Sequence, residues 1–101
     1  MGNRLELQTR LEDILGSRNC YFQPPASVQM KYPAVVYSLS TIEKLHANDN
    51  MYKPLMAYTV TLIDKNPDSG FIIEILKLPY CRFDRFYTAD NLNHWVFTLY
   101  Y

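Results

Sequence analysis

A chain of 101 residues, of which 49% are hydrophobic and 15% aromatic, has room for one domain and carries more aromatic surface than a small core buries easily. Its nine tyrosines predict self-association or a large partner, because tyrosine combines an apolar ring with a hydroxyl that stays in water; a tyrosine-rich core with wet edges is the alternative. Ten basic and ten acidic residues cancel, which argues against a protein that grips nucleic-acid phosphates or an anionic membrane as its main task.

The first element is predicted to be a helix that packs on a sheet. Four aliphatic residues recur at helical spacing and form one apolar face: Leu7, Leu11, Ile14 and Leu15. Asn3 is the expected N-cap, with Glu6 three residues later as in a capping box, and Gly16 is the expected stop.

A short strand candidate, residues 20–23, is ended by Pro24-Pro25. Two longer strands follow, because residues 34–42 and residues 58–62 alternate between apolar and polar side chains. The polar segment between them contains Asn48-Asp49-Asn50, which is turn chemistry. The two strands are therefore predicted to form a long hairpin with a protruding tip.

A second helix is predicted from an apolar stripe that Pro79 ends: Phe71, Ile72, Ile75 and Leu76. Asp68 or Ser69 is its expected N-cap. Two strands follow, about residues 82–88 and 92–100, joined by a turn at residues 89–91. The order α-β-β-β-α-β-β predicts one α+β domain over residues 1–101. Its sheet is mainly antiparallel, with four to five strands and two helices on one face.

The last strand divides into two faces. Trp95, Phe97 and Leu99 are expected in the core beneath the helices, by the two-residue period of a strand. The opposite face is too apolar for free solvent and is predicted to contact a partner subunit. It carries His94, Val96, Thr98 and Tyr100.

Arg82 and Arg85 are three residues apart, so a regular strand would place them on opposite faces. They are interpreted as an intersubunit salt bridge or the lining of a channel that carries DNA; snorkelling over aromatic rings is the alternative. His94 has Asp84 or Asp90 as a candidate partner across the hairpin, and a dyad of His94 with Cys81 is a weaker alternative.

The sequence contains no motif of a nucleotide-binding loop, a hydrolase elbow or a metal site, so no catalytic residue, cofactor or metal is predicted. Cys20 and Cys81 are expected to be free thiols in a reducing compartment, with a disulfide left open. The first residues lack the apolar run of a signal peptide, and no stretch is long enough to span a membrane. We expect a protein made in a cytoplasm.

Five pieces of the chain, in order and spacing, resemble the tail terminator (tail completion) proteins of long-tailed bacteriophages. They are Tyr32-Pro-Ala-Val-Val-Tyr37, Ala47-Asn-Asp-Asn50, Tyr58-Thr-Val-Thr-Leu-Ile63, Asp68-Ser69 and Asp90-Asn-Leu-Asn-His-Trp-Val-Phe97. The resemblance covers about residues 30–101. Similar sequences are also described as minor capsid or head–tail joining proteins.

The resemblance implies a small α+β subunit of a virion, without catalysis. Its copies form a ring, expected to be a hexamer, that caps the tail tube, ends its growth and presents a surface to the head-side connector. DNA passes through the lumen without tight or sequence-specific binding, and no membrane is involved.

Two sets of residues are the candidate contacts. The hairpin tip is expected to reach an axial partner, the tail tube protein or the connector: His46, Asn48, Asp49, Asn50, Met51 and Tyr52. The second set is expected between subunits or in the lumen: Arg82, Arg85, His94, Val96 and Tyr100. The alternatives are a connector or stopper ring of the neck and, from a different class, a small cytoplasmic enzyme or nucleic-acid-binding domain.

Overall fold

A five-stranded sheet with two helices on one face forms the fold, in a computed structural model that describes residues 4–25, 29–46 and 52–101. Its elements are α1 Arg4–Leu15, β1 Cys20–Phe22, β2 Ala34–His46, β3 Tyr52–Asp64, α2 Phe71–Leu76, β4 Cys81–Ala89 and β5 Leu92–Tyr100. The strand order is β1-β2-β3-β5-β4. β1 pairs with β2 in parallel, and the other described pairs are antiparallel. The predicted fold class and element order are confirmed.

The core lies between the helices and one face of the sheet, which we call the helix face; the opposite side is the far face. Leu7 and Leu11 of α1 and Ile75 of α2 are fully buried against the sheet. The sheet contributes residues that alternate along each strand: Val35, Tyr37, Tyr58, Val60, Leu62, Trp95, Phe97 and Leu99. The prediction that alternate residues of β5 enter the core is confirmed.

Polar contacts fix α1 on the first two strands. The Nε2 group of Gln8 donates a hydrogen bond of 3.0 Å to the carbonyl of Cys20, and the hydroxyl of the fully buried Tyr37 donates to Oε1 of Gln8. The helix ends at Gly16, whose φ of 72° lies in the left-handed region and whose N–H donates to the carbonyl of Glu12 at 2.8 Å. The predicted stop is therefore confirmed, whereas Asn3 lies outside the described residues.

The start of α2 differs by one position from the prediction. Gly70 occupies the N-cap, without a side-chain hydrogen bond, although Ser69 Oγ accepts the N–H of Phe71 at 3.4 Å. Ile75 is buried, but Leu76 is 38% exposed despite its place in the predicted stripe. Successive helical residues are about 100° apart around the axis, so Leu76 falls at the margin of that stripe.

β2 and β3 form a long hairpin, as predicted, but the strands continue further. Backbone pairing extends from Ala34 opposite Ile63 to His46 opposite Tyr52. Cross-strand hydrogen bonds use backbone groups, so the polar residues that follow position 42 do not end the strand. The tip predicted at residues 48–50 lies outside the described residues.

The turn between β4 and β5 has two central residues, Asp90 and Asn91, with φ values of 54° and 61°. Positive φ at both positions is the type I′ geometry that matches the twist of a hairpin, and Asp and Asn tolerate it better than most residues. The predicted turn is confirmed, and Ala89 pairs with Leu92 as the last residue of β4.

A β-bulge in β4 overturns the prediction for the two arginines. The register shifts between Phe83 and Arg85, so that Arg82 pairs with Thr98 and Arg85 pairs with Val96. Thr98 and Val96 are two residues apart on β5 and share the far face. Because the bulge at Asp84 inserts one residue, Arg82 and Arg85 both lie on the far face rather than on opposite faces.

Candidate assembly surface

β4 is an edge strand with little cover. It lies outside β5 in the strand order, and eight of its nine residues are exposed. Its outer backbone edge has no strand partner within residues 4–25, 29–46 and 52–101. Unpaired N–H and C=O groups along an edge are a template for contact with another chain.

On the helix face, β4 presents two aromatic rings that are only half covered. Phe83 is 45% exposed and meets Phe97 edge-on, with ring centroids 5.7 Å apart. Phe86 is 49% exposed and lies against Trp95, with centroids 5.5 Å apart. One side of each ring packs against the core and the other side is exposed to solvent. This is the environment of a contact residue rather than a core residue.

The loop that leads into β4 exposes a third ring at the start of the same strand edge. Tyr80 is 82% exposed and has a φ of 56°, a left-handed conformation that is rare for a bulky side chain. Its carbonyl accepts the N–H of Tyr100 at 3.2 Å, which fixes the loop on β5. Nearby, α2 exposes Ile73 and Leu76, and this helix packs beside β4. We name this group the β4 edge surface: Ile73, Leu76, Tyr80, Phe83 and Phe86.

The far face of β4 is polar and organised around the bulge. Asp84 accepts hydrogen bonds from the hydroxyl of Thr98 and from Nε of Arg82, the latter at 3.1 Å. The side chain of Arg82 is 71% exposed and that of Asp84 is 33% exposed. This pair adds little net electrostatic stability because solvent screens it, but it fixes the orientation of both side chains.

A stack of rings lies beside this pair. Tyr87 and His94 are opposite each other on β4 and β5, with centroids 4.6 Å apart and planes only 13° from parallel. The guanidinium of Arg85 lies 5.7 Å from the centre of the Tyr87 ring. Cationic and aromatic groups attract each other in this arrangement. Snorkelling of Arg85 over an aromatic ring, the alternative left open, is therefore part of what the structure shows.

The expected partners of His94 are not the ones that it meets. Its ring stacks on Tyr87, and its Nδ1 lies 3.1 Å from the carbonyl of Leu92, so it is paired with neither Asp84 nor Asp90. Cys81 pairs with Leu99 at the other end of β5 and faces the core, whereas His94 lies on the far face. A Cys81–His94 dyad is therefore excluded.

The structure brings the second predicted set together on one face. All five residues lie on the far face of β4 and β5: Arg82, Arg85, His94, Val96 and Tyr100. Val96 is only 5% exposed, so it offers little area for a partner, and Tyr100 is half-buried. Their role between subunits or in a lumen stays a prediction.

The opposite edge of the sheet carries a second apolar group. β1 pairs with β2 at Val35, Val36 and Tyr37, and the side chain of Gln23 then accepts the N–H of Leu39 at 3.2 Å. Beyond Leu39, the outer backbone of β2 has no strand partner in the part of the chain that the structure describes.

A bulge between Leu39 and Thr41 orients this edge. It places Leu39 opposite Tyr58 and Ile42 opposite Met56, so both residues are on the helix face. Leu39 is 38% exposed and Ile42 is 52% exposed. We name Leu39, Ile42 and the outer backbone of residues 40–46 the β2 edge surface.

The hairpin tip is only partly described. His46 and Tyr52 form the last backbone pair of β2 and β3. The structure describes the backbone alone at these two positions, and Asn48, Asp49, Asn50 and Met51 lie outside the described residues.

The two thiols lie on opposite outer strands of the sheet, Cys20 on β1 and Cys81 on β4, so the expectation of free thiols is confirmed. Burial, with a smaller contribution from Glu12, raises the pKa of the Cys20 thiol to about 12. Burial, with a smaller contribution from Asp84, raises the pKa of the Cys81 thiol to about 11. Both thiols are thus protonated and weakly nucleophilic near neutral pH.

Within the described ranges, no group of three or more His, Cys, Asp or Glu side chains is arranged to hold a metal ion. No helix in that part of the chain has both the length and the apolar character needed to cross a membrane. In comparisons with known proteins, no family model and no curated protein matches this chain.

Sequence reasoning missed the β4 edge surface for a physical reason. In a regular strand, Phe83 and Phe86 would lie on opposite faces. The bulge places both on the helix face. Two consecutive polar residues between aromatic residues, here Asp84-Arg85 between Phe83 and Phe86, are the signal that would have indicated the break in period.

Proposed function

We propose that this protein is a structural subunit of a bacteriophage tail: a tail terminator that forms a ring on the tail tube, ends tube growth and provides the surface for head–tail joining. The observation that carries the proposal is the β4 edge surface. An unpaired strand edge beside three exposed aromatic rings is a template for association with another chain, and we expect assembly to cover it. The proposed role needs no catalytic group or cofactor.

The fold suits a subunit that must contact several neighbours at once. A ring is a head-to-tail assembly that closes by rotation, so each subunit needs two different lateral surfaces. The described residues provide apolar groups on both edges of one sheet, the β4 edge surface and the β2 edge surface. In this arrangement the far face would line the lumen, and the hairpin tip would contact axial partners.

The charges agree with a lumen that DNA crosses without being held. The chain is neutral overall, and on the far face Arg82 is paired with Asp84. Strong retention of DNA needs a cluster of basic residues that release counterions from phosphates. Arg85, whose guanidinium lies over Tyr87, is the candidate for a weak contact in the lumen or for a salt bridge to the next subunit.

Mass measurement tests the proposal directly. Purified protein is examined alone and after mixing with assembled tail tube protein, by native mass spectrometry and electron microscopy. We expect a ring, with six copies as the favoured number, alone or at the tube end, and tubes that stop growing once capped. A chain that stays monomeric and never joins tubes would overturn the proposal.

A neck connector or stopper ring remains the nearest alternative, because it would use the same lateral contacts. Binding partners separate the two: a terminator binds the end of the tail tube, whereas a stopper binds the head-side connector before any tail is present. A position of its gene beside the gene for the major tail protein would favour the terminator.

The ring stack on the far face favours one second candidate, a nucleic-acid-binding domain. Arg85, Tyr87 and His94 combine a cation with stacked rings, a combination that also binds single-stranded bases. Titration of labelled single strands at increasing salt tests it. A steep fall of affinity with salt supports this candidate, and weak binding at low salt removes it.

A further inference from the structure

We infer that the β4 edge surface of one copy binds the β2 edge surface of a second copy, so that the chain assembles head to tail through two different edges. This inference deepens the proposed function, on which it rests, by naming the lateral contact. The occupant of each surface is a second copy of this chain.

The two surfaces lie at opposite ends of the strand order. β4 is the outermost strand on one side, and residues 40–46 of β2 extend past β1 on the other. A copy that uses its β4 edge in one contact therefore keeps its β2 edge for the next. An assembly of this type is heterologous and propagates until rotation closes it.

Both surfaces are built by the same device. In β2 the bulge at Ser40 places Leu39 and Ile42 on the helix face, and in β4 the bulge at Asp84 places Phe83 and Phe86 there. In each strand a pair of apolar residues three positions apart would otherwise be split between the two faces. The bulges thus concentrate exposed apolar side chains on the same face at both edges, where neighbouring copies can align their sheets.

Area and charge agree with a second copy as the occupant. The exposed parts of Tyr80, Phe83 and Phe86 together present on the order of 350 Å². With α2 and the strand edge added, this is a substantial part of the roughly 800 Å² that each partner contributes to a standard interface. A chain of zero net charge approaches its own copies without overall electrostatic repulsion.

Two surface variants test the contact, each studied alone and then as an equal mixture of the two proteins. Tyr80→Glu blocks the β4 edge surface, and Ile42→Glu blocks the β2 edge surface; these side chains are 82% and 52% exposed, so the fold should tolerate both changes. Lys65→Glu, at an exposed position between β3 and α2, is the control for an added carboxylate. Light scattering and native mass spectrometry give the state of each protein over a concentration series.

We expect each variant alone to lose self-association by at least about tenfold, as contact residues with large exposed side chains do, while the control behaves as the wild type. An equal mixture of the two variants should recover one intact contact and give one-to-one dimers that grow no further. The single variants Phe86→Glu and Leu39→Glu, alone and mixed, repeat the test at the same two surfaces. Circular dichroism verifies that every variant is folded.

Three outcomes would overturn the contact. Dimers of Ile42→Glu with wild-type affinity would indicate a symmetric β4-to-β4 contact instead. A wild-type ring with no heterodimer in either mixture would reject this pair of surfaces and leave the proposed ring standing. A wild-type chain that associates neither alone nor on tail tubes would reject both the contact and the proposed function.

Discussion

Arg82 and Arg85 lie on the same face of the sheet, although three residues separate them along an extended strand. The extra residue, Asp84, forms a bulge and contacts Thr98 on the neighbouring strand. One inserted residue therefore determines both the polar far face and the aromatic helix face of β4.

The carboxylate of Asp84 is expected to stabilise the bulge modestly. Asp84→Ala removes the hydrogen bonds from Thr98 and Arg82, and we expect the free energy of unfolding to fall by about 1 kcal/mol, since both groups are near solvent. Urea denaturation measures it, with Asp13→Ala on the exposed side of α1 as control. Deletion of Asp84 should leave Phe83 and Phe86 on the helix face, because residues 83, 85 and 86 already pair with the consecutive residues 97, 96 and 95 of β5. A free energy of unfolding of Asp84→Ala equal to that of the wild type would contradict this role.

The core beneath the helices should depend strongly on Trp95. This residue is 7% exposed, belongs to the main apolar cluster and contacts Phe86. We expect Trp95→Ala to lower the free energy of unfolding by about 3–5 kcal/mol, the cost of truncating a large buried aromatic residue. Tyr80→Ala, measured at a concentration where both proteins are monomeric, is the control, and a change within about 0.5 kcal/mol is expected there because that ring is exposed. Similar losses in the two variants would show that Trp95 is not a core residue.

Much of this fold follows from sequence periodicity, and the bulges mark where periodicity fails. The helical spacing of Leu7, Leu11 and Leu15 and the two-residue period of Trp95, Phe97 and Leu99 predict their burial, because each period maps directly onto one face. A bulge adds one residue and exchanges the faces beyond it. For this reason the far-face position of both arginines and the β4 edge surface could not be derived from a regular strand.

The stacking of His94 on Tyr87 also follows from the pairing register rather than from composition. Position 87 faces position 94 only because the two-residue turn at Asp90-Asn91 fixes the hairpin. The predicted turn implies this pair directly, because the bulge at Asp84 lies farther along β4; the expectation for His94 named only the carboxylates of Asp84 and Asp90 and the thiol of Cys81.

Stability should fall at high pH because both thiols have raised pKa values. The pKa of Cys20 is about 12 in the folded chain against a usual value of 9.0, so the unfolded chain loses this proton first as the pH rises. The stabilisation from the protonated thiol is complete below about pH 9 and is lost progressively towards pH 12. We expect ionisation of this single thiol to lower the free energy of unfolding by up to about 1.4 kcal/mol for each pH unit in that window.

Cys20→Ala isolates the contribution of that thiol from the other groups that titrate at high pH. The variant should be less stable than the wild type near neutral pH, because a buried side chain is shortened, but its stability should fall less steeply between pH 9 and 11. Urea denaturation at a series of pH values measures both slopes. Parallel curves for the two proteins would contradict the raised pKa.

Arg85 is expected to act in assembly more than in folding. Its side chain is exposed, and its described contact is with the ring of Tyr87. Arg85→Glu should therefore change the free energy of unfolding of the monomer by no more than about 0.5 kcal/mol while it weakens the ring. Lys65→Glu makes the same charge change at a loop position and serves as control. Equal losses of monomer stability and of ring formation would instead indicate an internal role.

The hairpin tip is expected to bind an axial partner. Shortening it should therefore weaken binding to that partner without affecting the folding of the subunit. The strands below it are paired from Ala34–Ile63 to His46–Tyr52, and the core residues lie far down this ladder, at Tyr37, Tyr58 and Val60. Removal of residues 48–50 should therefore leave the circular dichroism spectrum and the cooperativity of unfolding unchanged. Binding to tail tubes should fall, and lateral association measured without tubes should persist, because both edge surfaces remain. An unfolded monomer would show that the tip is structural, and undiminished binding to tubes would show that the axial contact lies elsewhere.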